Sequence, residues 1–139
     1  MQTQPQNVKY KKHHKKRFFK GIEYRSNSLQ FGYYGLKSIN SGILNYKHIE
    51  SGRKAINQIL KRSGKIWIRI FPTLSLTKKP IEVRMGKGKG NVNVWVCYIK
   101  PGTIIYEINS INKLKSVEAL KNASIKLPLQ TKIVYKTLN

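Results

Sequence analysis

Residues 92–109, VNVWVCYIKPGTIIYEIN, indicate the fold class most directly. Two apolar runs flank Pro101-Gly102, a dipeptide that is typical of a tight turn. In the first run valine recurs at every second position, the spacing of a strand whose two faces differ. The segment therefore predicts two neighbouring strands, over residues 92–100 and 103–109, joined by a hairpin-like link.

The sequence on both sides of this hairpin predicts more strands and two helices. The expected strands cover 28–39 (bent or a strand pair), 65–71, 80–85 and 129–136, with a loop over 72–79; the expected helices cover 45–62 and 112–126. Asn45 is placed to cap the first helix, and Ser63-Gly64 to end it. The inward-facing positions are expected to be Ile49, Gly52, Ile56, Ile59 and Leu60 in the first helix, and Leu114, Val117, Leu120, Ala123 and Leu127 in the second. This order predicts an α+β fold, a two-layer sandwich of mostly antiparallel sheet with two helices.

The charge balance points to a polyanionic partner. The chain has 139 residues with 28 Lys and Arg against 5 acidic residues, all Glu, and its net charge is +23. This length fits one ordinary domain, and a hydrophobic fraction of 40% is enough for a core. Because so large a charge attracts polyanions, composition predicts a nucleic-acid partner. Scarce, scattered carboxylates argue against hydrolysis by paired acids.

Cysteine and histidine usage predicts neither a cofactor nor a metal. Cys97 is the only cysteine, so the chain forms no internal disulfide and no cysteine-based zinc cluster, and its apolar neighbours favour a buried hydrophobe over a reactive thiol. His13, His14 and His48 have neither metal-ligand spacing nor a triad arrangement. No stretch approaches the ~20 apolar residues of a membrane span, so no membrane partner is expected.

Residues 1–20 predict a basic arm, and residues 21–139 a single domain. The arm lacks acids and has too few apolar side chains for a core, so we expect it to be extended and solvated until it meets a partner. Interleaved aromatic residues favour an RNA-binding arm over a transit peptide or an inert tail. Its candidate rRNA-binding residues are Lys9, Lys11, Lys12, His14, Lys15, Lys16 and Arg17.

Further cations line the first predicted helix and the strand after it. The residues expected to face RNA are Arg53, Lys54, Lys61, Arg62, Lys65 and Arg69. Trp67 shares a strand face with Arg69, so either burial or a partly exposed RNA-facing position is open to it.

The segment 84–91 predicts a flexible, cationic finger. It comprises Arg84, Met85, Gly86, Lys87, Gly88, Lys89, Gly90 and Asn91. Alternating glycines allow positive φ and close approach to another chain, and the lysines suit insertion between packed phosphates. A nucleotide-binding loop is the competing interpretation, but the Walker and dinucleotide spacings both fail here, and no helix is expected to follow.

Several long motifs resemble the bacterial-type family of large-subunit ribosomal protein number sixteen. They are GKIWIRIFP (64–72), KPIEVRMGKGKGNV (79–92), IKPGTIIYEI (99–108), FGYYGLKS (31–38), HIESGRKAI (48–56), KLPLQTKIV (126–134) and the basic start at 9–15. The resemblance covers about residues 8–136. His48 and Gly52 depart from it, since the family commonly has Gln and Ala there, and Gly52 suggests that another group packs closely at that position.

The resemblance implies a structural, non-enzymatic component of the large ribosomal subunit. It implies binding to large-subunit rRNA beside neighbouring ribosomal proteins, with residues 84–90 directed toward the peptidyl transferase centre and the tRNA in the aminoacyl site. A free RNA-binding or assembly factor, and an NTP-dependent enzyme built on the Gly/Lys loop, are the rival functions. An excess of Lys, Ile and Asn over Ala and Arg suggests an A/T-biased genome, which favours a mitochondrion over a plastid or a bacterial cytoplasm.

Overall fold

The chain forms two antiparallel sheets and two helices. A computed structural model describes residues 4–14, 21–61 and 63–136. Its elements are β1 (Tyr34–Ser38), β2 (Gly42–Asn45), α1 (Tyr46–Leu60), β3 (Gly64–Ile68), β4 (Leu74–Lys78), β5 (Asn91–Ile99), β6 (Ile104–Ser110), α2 (Lys113–Ile125) and β7 (Thr131–Tyr135). The four-stranded sheet has the order β3-β6-β1-β7 and the three-stranded sheet the order β2-β5-β4. Every strand pair among these elements is antiparallel, so the predicted α+β sandwich is confirmed.

The core lies where both helices meet the sheets. Helices α1 and α2 pack on each other, α2 contacts β1, β6 and β7, and α1 contacts β2 and β3. The predicted stripe of α1 is confirmed at Ile49, Gly52, Ile56 and Leu60, which are buried, while Ile59 is partly buried. Each fully buried Ile or Leu side chain stabilises the fold by roughly 1.5–3 kcal/mol. Cys97 is buried in the same cluster, as expected for a small hydrophobe.

Helix α1 begins at a capping box in which histidine replaces the usual acidic or amide residue. The Asn45 side chain accepts a hydrogen bond from the Lys47 amide, as its predicted capping role requires. In return, the Asn45 amide donates to Nδ1 of His48 at 3.3 Å. Glu or Gln commonly accepts this bond at the third helical position. His48 therefore supplies the acceptor of this capping box.

Gly52 lies where a side chain from the sheet meets helix α1. A Cβ atom at this position would sit 2.5 Å from the hydroxyl oxygen of Tyr106. That hydroxyl is buried and donates to the carbonyl of Ile49 at 2.7 Å. The expected close packing at Gly52 is confirmed, and its cause is the Tyr106 ring.

The prediction of a strand over 80–85 is wrong. Ile81, Val83 and Met85 alternate with charged residues, but they are 95%, 51% and 99% exposed and have no neighbouring strand. The strand that pairs with β5 is instead β4, within the segment expected to be a loop. Strand β4 contains a serine, the buried Ser75, and a threonine. These polar residues are common in loops, which is why a loop was expected there.

Three smaller expectations also differ from the structure. Strand β2 lies beyond the bent strand or strand pair expected over 28–39, in a segment for which no strand was predicted. Helix α1 ends at Lys61, which takes the left-handed conformation with φ 45°, rather than at Ser63-Gly64. In α2, Leu114 is 80% exposed, and Ser116 and Ala119 are buried instead. Small side chains let α2 approach α1 closely, and the Ser116 hydroxyl is satisfied by donating to the Asn112 carbonyl at 3.0 Å.

Candidate nucleic-acid interface

The finger lies at the tip of an exposed hairpin loop, residues 79–90, that joins β4 to β5. Its base is fixed by the pairing of Lys78 with Asn91. Residues 81–89 are all exposed. Gly86, Lys87 and Gly88 have φ values of 101°, 50° and 84°, so the tip uses three consecutive left-handed residues. Only glycine adopts this conformation without strain, and the glycines therefore give the loop its sharp reversal.

Side chains of the finger present charge and apolar surface to solvent. Arg84, Lys87 and Lys89 are exposed, as predicted for a finger that contacts phosphate. The Lys79 ammonium donates to the Gly86 carbonyl and so bridges the loop internally. Met85 is almost fully exposed, and together with Ile81 and Val83 it gives the loop apolar surface.

The described part of the arm, residues 4–14, lies on the three-stranded sheet. The hydroxyl of Ser75 donates to the Lys11 carbonyl at 2.5 Å, and His13 Nδ1 lies 3.2 Å from the same hydroxyl oxygen. Because the single hydroxyl proton is already committed to Lys11, Nδ1 of His13 carries the proton and donates. The expectation of a fully solvated arm is therefore wrong for residues 11–13. Lys15, Lys16 and Arg17 lie outside the described residues.

The arm also contacts the finger. The Lys12 ammonium donates to the Lys89 carbonyl at 3.2 Å, and the Lys89 ammonium donates to the His13 carbonyl at 2.5 Å. These two bonds fix two ammonium groups of like sign, those of Lys12 and Lys89, in the contact between the arm and the finger. Such an arrangement favours an anionic chain between them.

Helix α1 presents a second cationic surface. Lys54 and Lys61 are exposed and line a shallow groove together with Asn57 and Gln58. Arg53 is instead paired with Glu50 at 2.6 Å, and the two side chains are 31% and 28% exposed. The hydrogen bond from Arg53 is the main cause that lowers the pKa of Glu50. Arg62 lies outside the described residues.

The outer side of strand β3 carries a stacked aromatic pair. Trp67 stacks on Phe31 with ring centroids 6.0 Å apart, and the Lys65 ammonium lies 5.2 Å from the Trp67 ring centroid. Phe31 is 54% exposed and Trp67 is half-buried. The open choice between burial and partial exposure of Trp67 is thereby resolved in favour of partial exposure.

Arg69 belongs to a buried network rather than to the open surface. Its guanidinium pairs with the carboxylate of Glu107, and their side chains are 12% and 0% exposed. The amides of Phe31 and Gly32 donate to the same carboxylate at 2.7 and 2.8 Å. The Arg69 charge is therefore neutralised inside the protein, and the residue holds the loop that precedes β1.

The Glu107 carboxylate stays ionised despite its burial. Burial alone would raise the pKa of Glu107. The donors of Gly32 and Phe31, together with Arg69 and Gln30, outweigh burial and hold the pKa below its ordinary value. This network was not predicted, because a carboxylate in an apolar strand gives no sign of donors 75 residues away in sequence.

The described residues contain no cluster that could bind a metal ion, and their one cysteine is buried. Burial raises the pKa of Cys97 to about 12, so its thiol is not a nucleophile. Across residues 4–14, 21–61 and 63–136 no cluster of His, Cys and carboxylates could hold a metal ion. Within the same ranges, neither helix has the length and apolarity needed to cross a membrane.

Comparison with known proteins agrees over almost the whole chain. Residues 5–134 match the family model of ribosomal protein L16p/L10e. The large ribosomal subunit protein uL16 of Psychrobacter cryohalolentis is 48% identical over 97% of this chain and 98% of its own length. Those of Buchnera aphidicola subsp. Baizongia pistaciae and Francisella tularensis subsp. novicida are 51% and 46% identical, each over 96% of both chains. The chain therefore belongs to the ribosomal protein L16p/L10e family.

Proposed function

We propose that this structural constituent of the large ribosomal subunit binds large-subunit rRNA with its arm and helix α1. We further propose that residues 84–90 lie close to the peptidyl transferase centre and to tRNA in the aminoacyl site. The chain is not an enzyme, because its family is one of structural ribosomal proteins. The observation that carries the tRNA assignment is the finger, an exposed loop that presents Arg84, Lys87 and Lys89 to solvent.

Exposure selects the rRNA-binding residues among the candidates. The exposed ones are Lys9, Lys11, Lys12, His14, Lys54, Lys61 and Lys65. We retain four further candidates because of their positions in the sequence. The basic arm at 1–20 contains Lys15, Lys16 and Arg17, and the single domain at 21–139 contains Arg62. Arg53 and Arg69 are assigned to ion pairs within the fold. Exposed apolar residues such as Met85 support contacts with neighbouring ribosomal proteins or RNA.

The test of the finger uses ribosomes that carry Lys87→Ala alone. Among the described residues Lys87 makes no hydrogen bond to the arm, whereas Lys89 does. We expect these subunits to assemble normally and to bind aminoacyl-tRNA about threefold to tenfold more weakly, as loss of one charge-assisted contact implies. The double variant with Lys89→Ala should be weaker still.

The matched control is Lys121→Ala, which removes one exposed lysine from α2, outside the proposed interface. It should leave tRNA binding unchanged. Equal binding by wild-type, Lys87→Ala and double-variant ribosomes would contradict a role of the finger and leave it as a solvated loop.

A free RNA-binding or assembly factor is the alternative function. Co-sedimentation distinguishes the two, since a resident protein stays on mature large subunits in a high-salt wash and a transient factor is released. An NTP-dependent enzyme has no support in a loop that lacks the phosphate-binding spacing.

The compartment that we propose is the mitochondrial ribosome. Composition supports it, because 22 of the 28 basic residues are lysine and the chain has 17 isoleucines but 3 alanines. This excess indicates the A/T-biased genome that favours a mitochondrion. The plastid and the bacterial cytoplasm are the alternatives. Recovery of the tagged protein with ribosomes of one purified compartment decides among the three.

A further inference from the structure

A cavity separates the arm from strand β5. Its volume is about 300 Å³, which lies at the lower end of the range for ligand pockets. Gln4, Gln6 and Lys11 line it from the arm, and Asn93 and Trp95 line it from β5. The proposed phosphate contacts of the arm and the finger leave these carboxamide and indole groups without a function.

The arm wall of this cavity is fixed to the sheet. Ser75, only 4% exposed, donates to the Lys11 carbonyl, and His13 donates to the Ser75 oxygen. The His13 ring meets Trp95 edge to face, with centroids 6.5 Å apart and an interplanar angle of 71°. The cavity is therefore a formed site with one wall from each element, and Trp95, half-buried, is held in a defined orientation.

The chemistry of the lining matches an unpaired nucleobase. An indole offers a flat surface on which any base stacks. Carboxamides carry both donors and acceptors, which complement the edge of a base. The Lys11 ammonium adds a cation for the attached phosphate, and the nearby lysines of the arm and finger disfavour a cationic ligand. A simple anion would use the lysine but neither the indole nor the amides.

We propose that this cavity receives one unstacked base of single-stranded RNA, stacked on Trp95 and held at its edge by Asn93 and the arm glutamines. This assignment rests on the proposed rRNA-binding function, and it adds base recognition to contacts that otherwise involve only phosphate. Trp95 would then be a recognition residue, whereas the exposed lysines remain positioning contacts.

The test follows Trp95 fluorescence in the full chain carrying Trp67→Phe, which leaves Trp95 as the only tryptophan. The probes are an unstructured seven-nucleotide RNA of mixed sequence and inorganic polyphosphate of equal charge. We expect saturable quenching by the RNA and none by polyphosphate. Asn93→Ala should weaken the quenching about threefold or more, as loss of a hydrogen bond implies, whereas Asn91→Ala on the same strand should not.

Separate outcomes distinguish this assignment from the broader function. Fluorescence anisotropy of labelled RNA reports binding by any contact. Binding without Trp95 quenching, equal quenching by polyphosphate, or equal affinities in Asn93→Ala and Asn91→Ala would each overturn the base site and leave rRNA binding intact. Absence of any RNA binding at low salt would overturn both. If Trp67→Phe does not fold, the same titrations on the otherwise wild-type protein, compared between the two asparagine variants, assign the quenching.

Discussion

The two sheets differ in how their charged side chains are neutralised. The four-stranded sheet and its helices contain both ion pairs of the described residues, and the Glu107 carboxylate lies completely buried among its donors. The three-stranded sheet carries the arm and the finger, where the Lys12 and Lys89 ammonium groups donate to backbone carbonyls. The first region therefore neutralises two of its arginines with its own carboxylates, although Lys54, Lys61 and Lys65 remain exposed there. In the arm and the finger no lysine of the described residues pairs with a carboxylate, so an external polyanion has to supply the counter-charge.

The largest difference between the regions should appear when Glu107 is replaced. Glu107→Ala leaves the Arg69 guanidinium without its carboxylate partner and three backbone amides without an acceptor. We expect the free energy of unfolding to fall by about 3–5 kcal/mol, the usual cost of breaking a buried pair. The matched control, Glu50→Ala, removes the same charge from the half-exposed pair with Arg53 and should cost about 0–1 kcal/mol. Similar losses in both variants, measured by urea unfolding, would show that burial does not distinguish the pairs.

A smaller effect is expected where α1 contacts the four-stranded sheet. Gly52→Ala raises helix propensity, but its Cβ would collide with the Tyr106 hydroxyl. We expect a net loss of about 1–3 kcal/mol, as in other overpacked cores. In a Tyr106→Phe background the colliding oxygen is absent, so the same substitution should cost clearly less. A double-mutant cycle by thermal unfolding measures this coupling, and strict additivity of the two changes would disprove the contact.

Acid should weaken the four-stranded region through the protonation of Glu107. The pKa of Glu107 is lower in the folded state than its ordinary value of 4.5. Its contribution to stability is therefore complete above that value and is lost as the pH falls below it, through the folded-state pKa. Glu107→Gln cannot lose this contribution and should show a flatter stability profile between neutral and acidic pH. A profile as steep as that of the wild type would assign the acid sensitivity to other carboxylates.

Local patterns predicted most of the four-stranded region, but in the three-stranded sheet they predicted β5 and missed β2 and β4. The cap at Asn45, the stripe of α1 and the strands around Pro101-Gly102 follow from residue spacing, because burial there repeats with the period of the element. The strand predicted from the alternation at 80–85 is absent, because an alternating segment forms a strand only where a partner strand is available. The docking of the arm was also not predicted. The contact between Ser75 and Lys11 joins residues that are 64 apart, and the sequence around neither residue marks it as a contact. Long-range contacts of single polar atoms leave no periodic signal in the sequence.

Docking of the arm on the three-stranded sheet should be sensitive to one hydroxyl group. Ser75→Ala removes the donor to the Lys11 carbonyl and the acceptor for His13. We expect a loss of about 1 kcal/mol in global stability and faster proteolysis of residues 4–14. Ser41→Ala, at an exposed position outside these contacts, is the control. Unchanged proteolysis of the arm in Ser75→Ala would show that other contacts hold it.

The smallest change in stability is expected at the tip of the finger, although its functional effect should be clear. Gly88 has φ 84°, and a Cβ atom at this position would have no other atom within 4 Å, so a side chain there meets backbone strain but no collision. In an exposed loop this strain is relieved by a local change of shape, and Gly88→Val should alter unfolding by no more than about 0.5 kcal/mol. A β-branched residue resists positive φ, whereas asparagine tolerates it. Gly88→Asn should therefore keep the shape of the tip, and aminoacyl-tRNA binding on variant ribosomes should fall with valine much more than with asparagine. Equal binding by the two variants would mean that the left-handed turn is irrelevant to tRNA, and that only the charge of the finger matters.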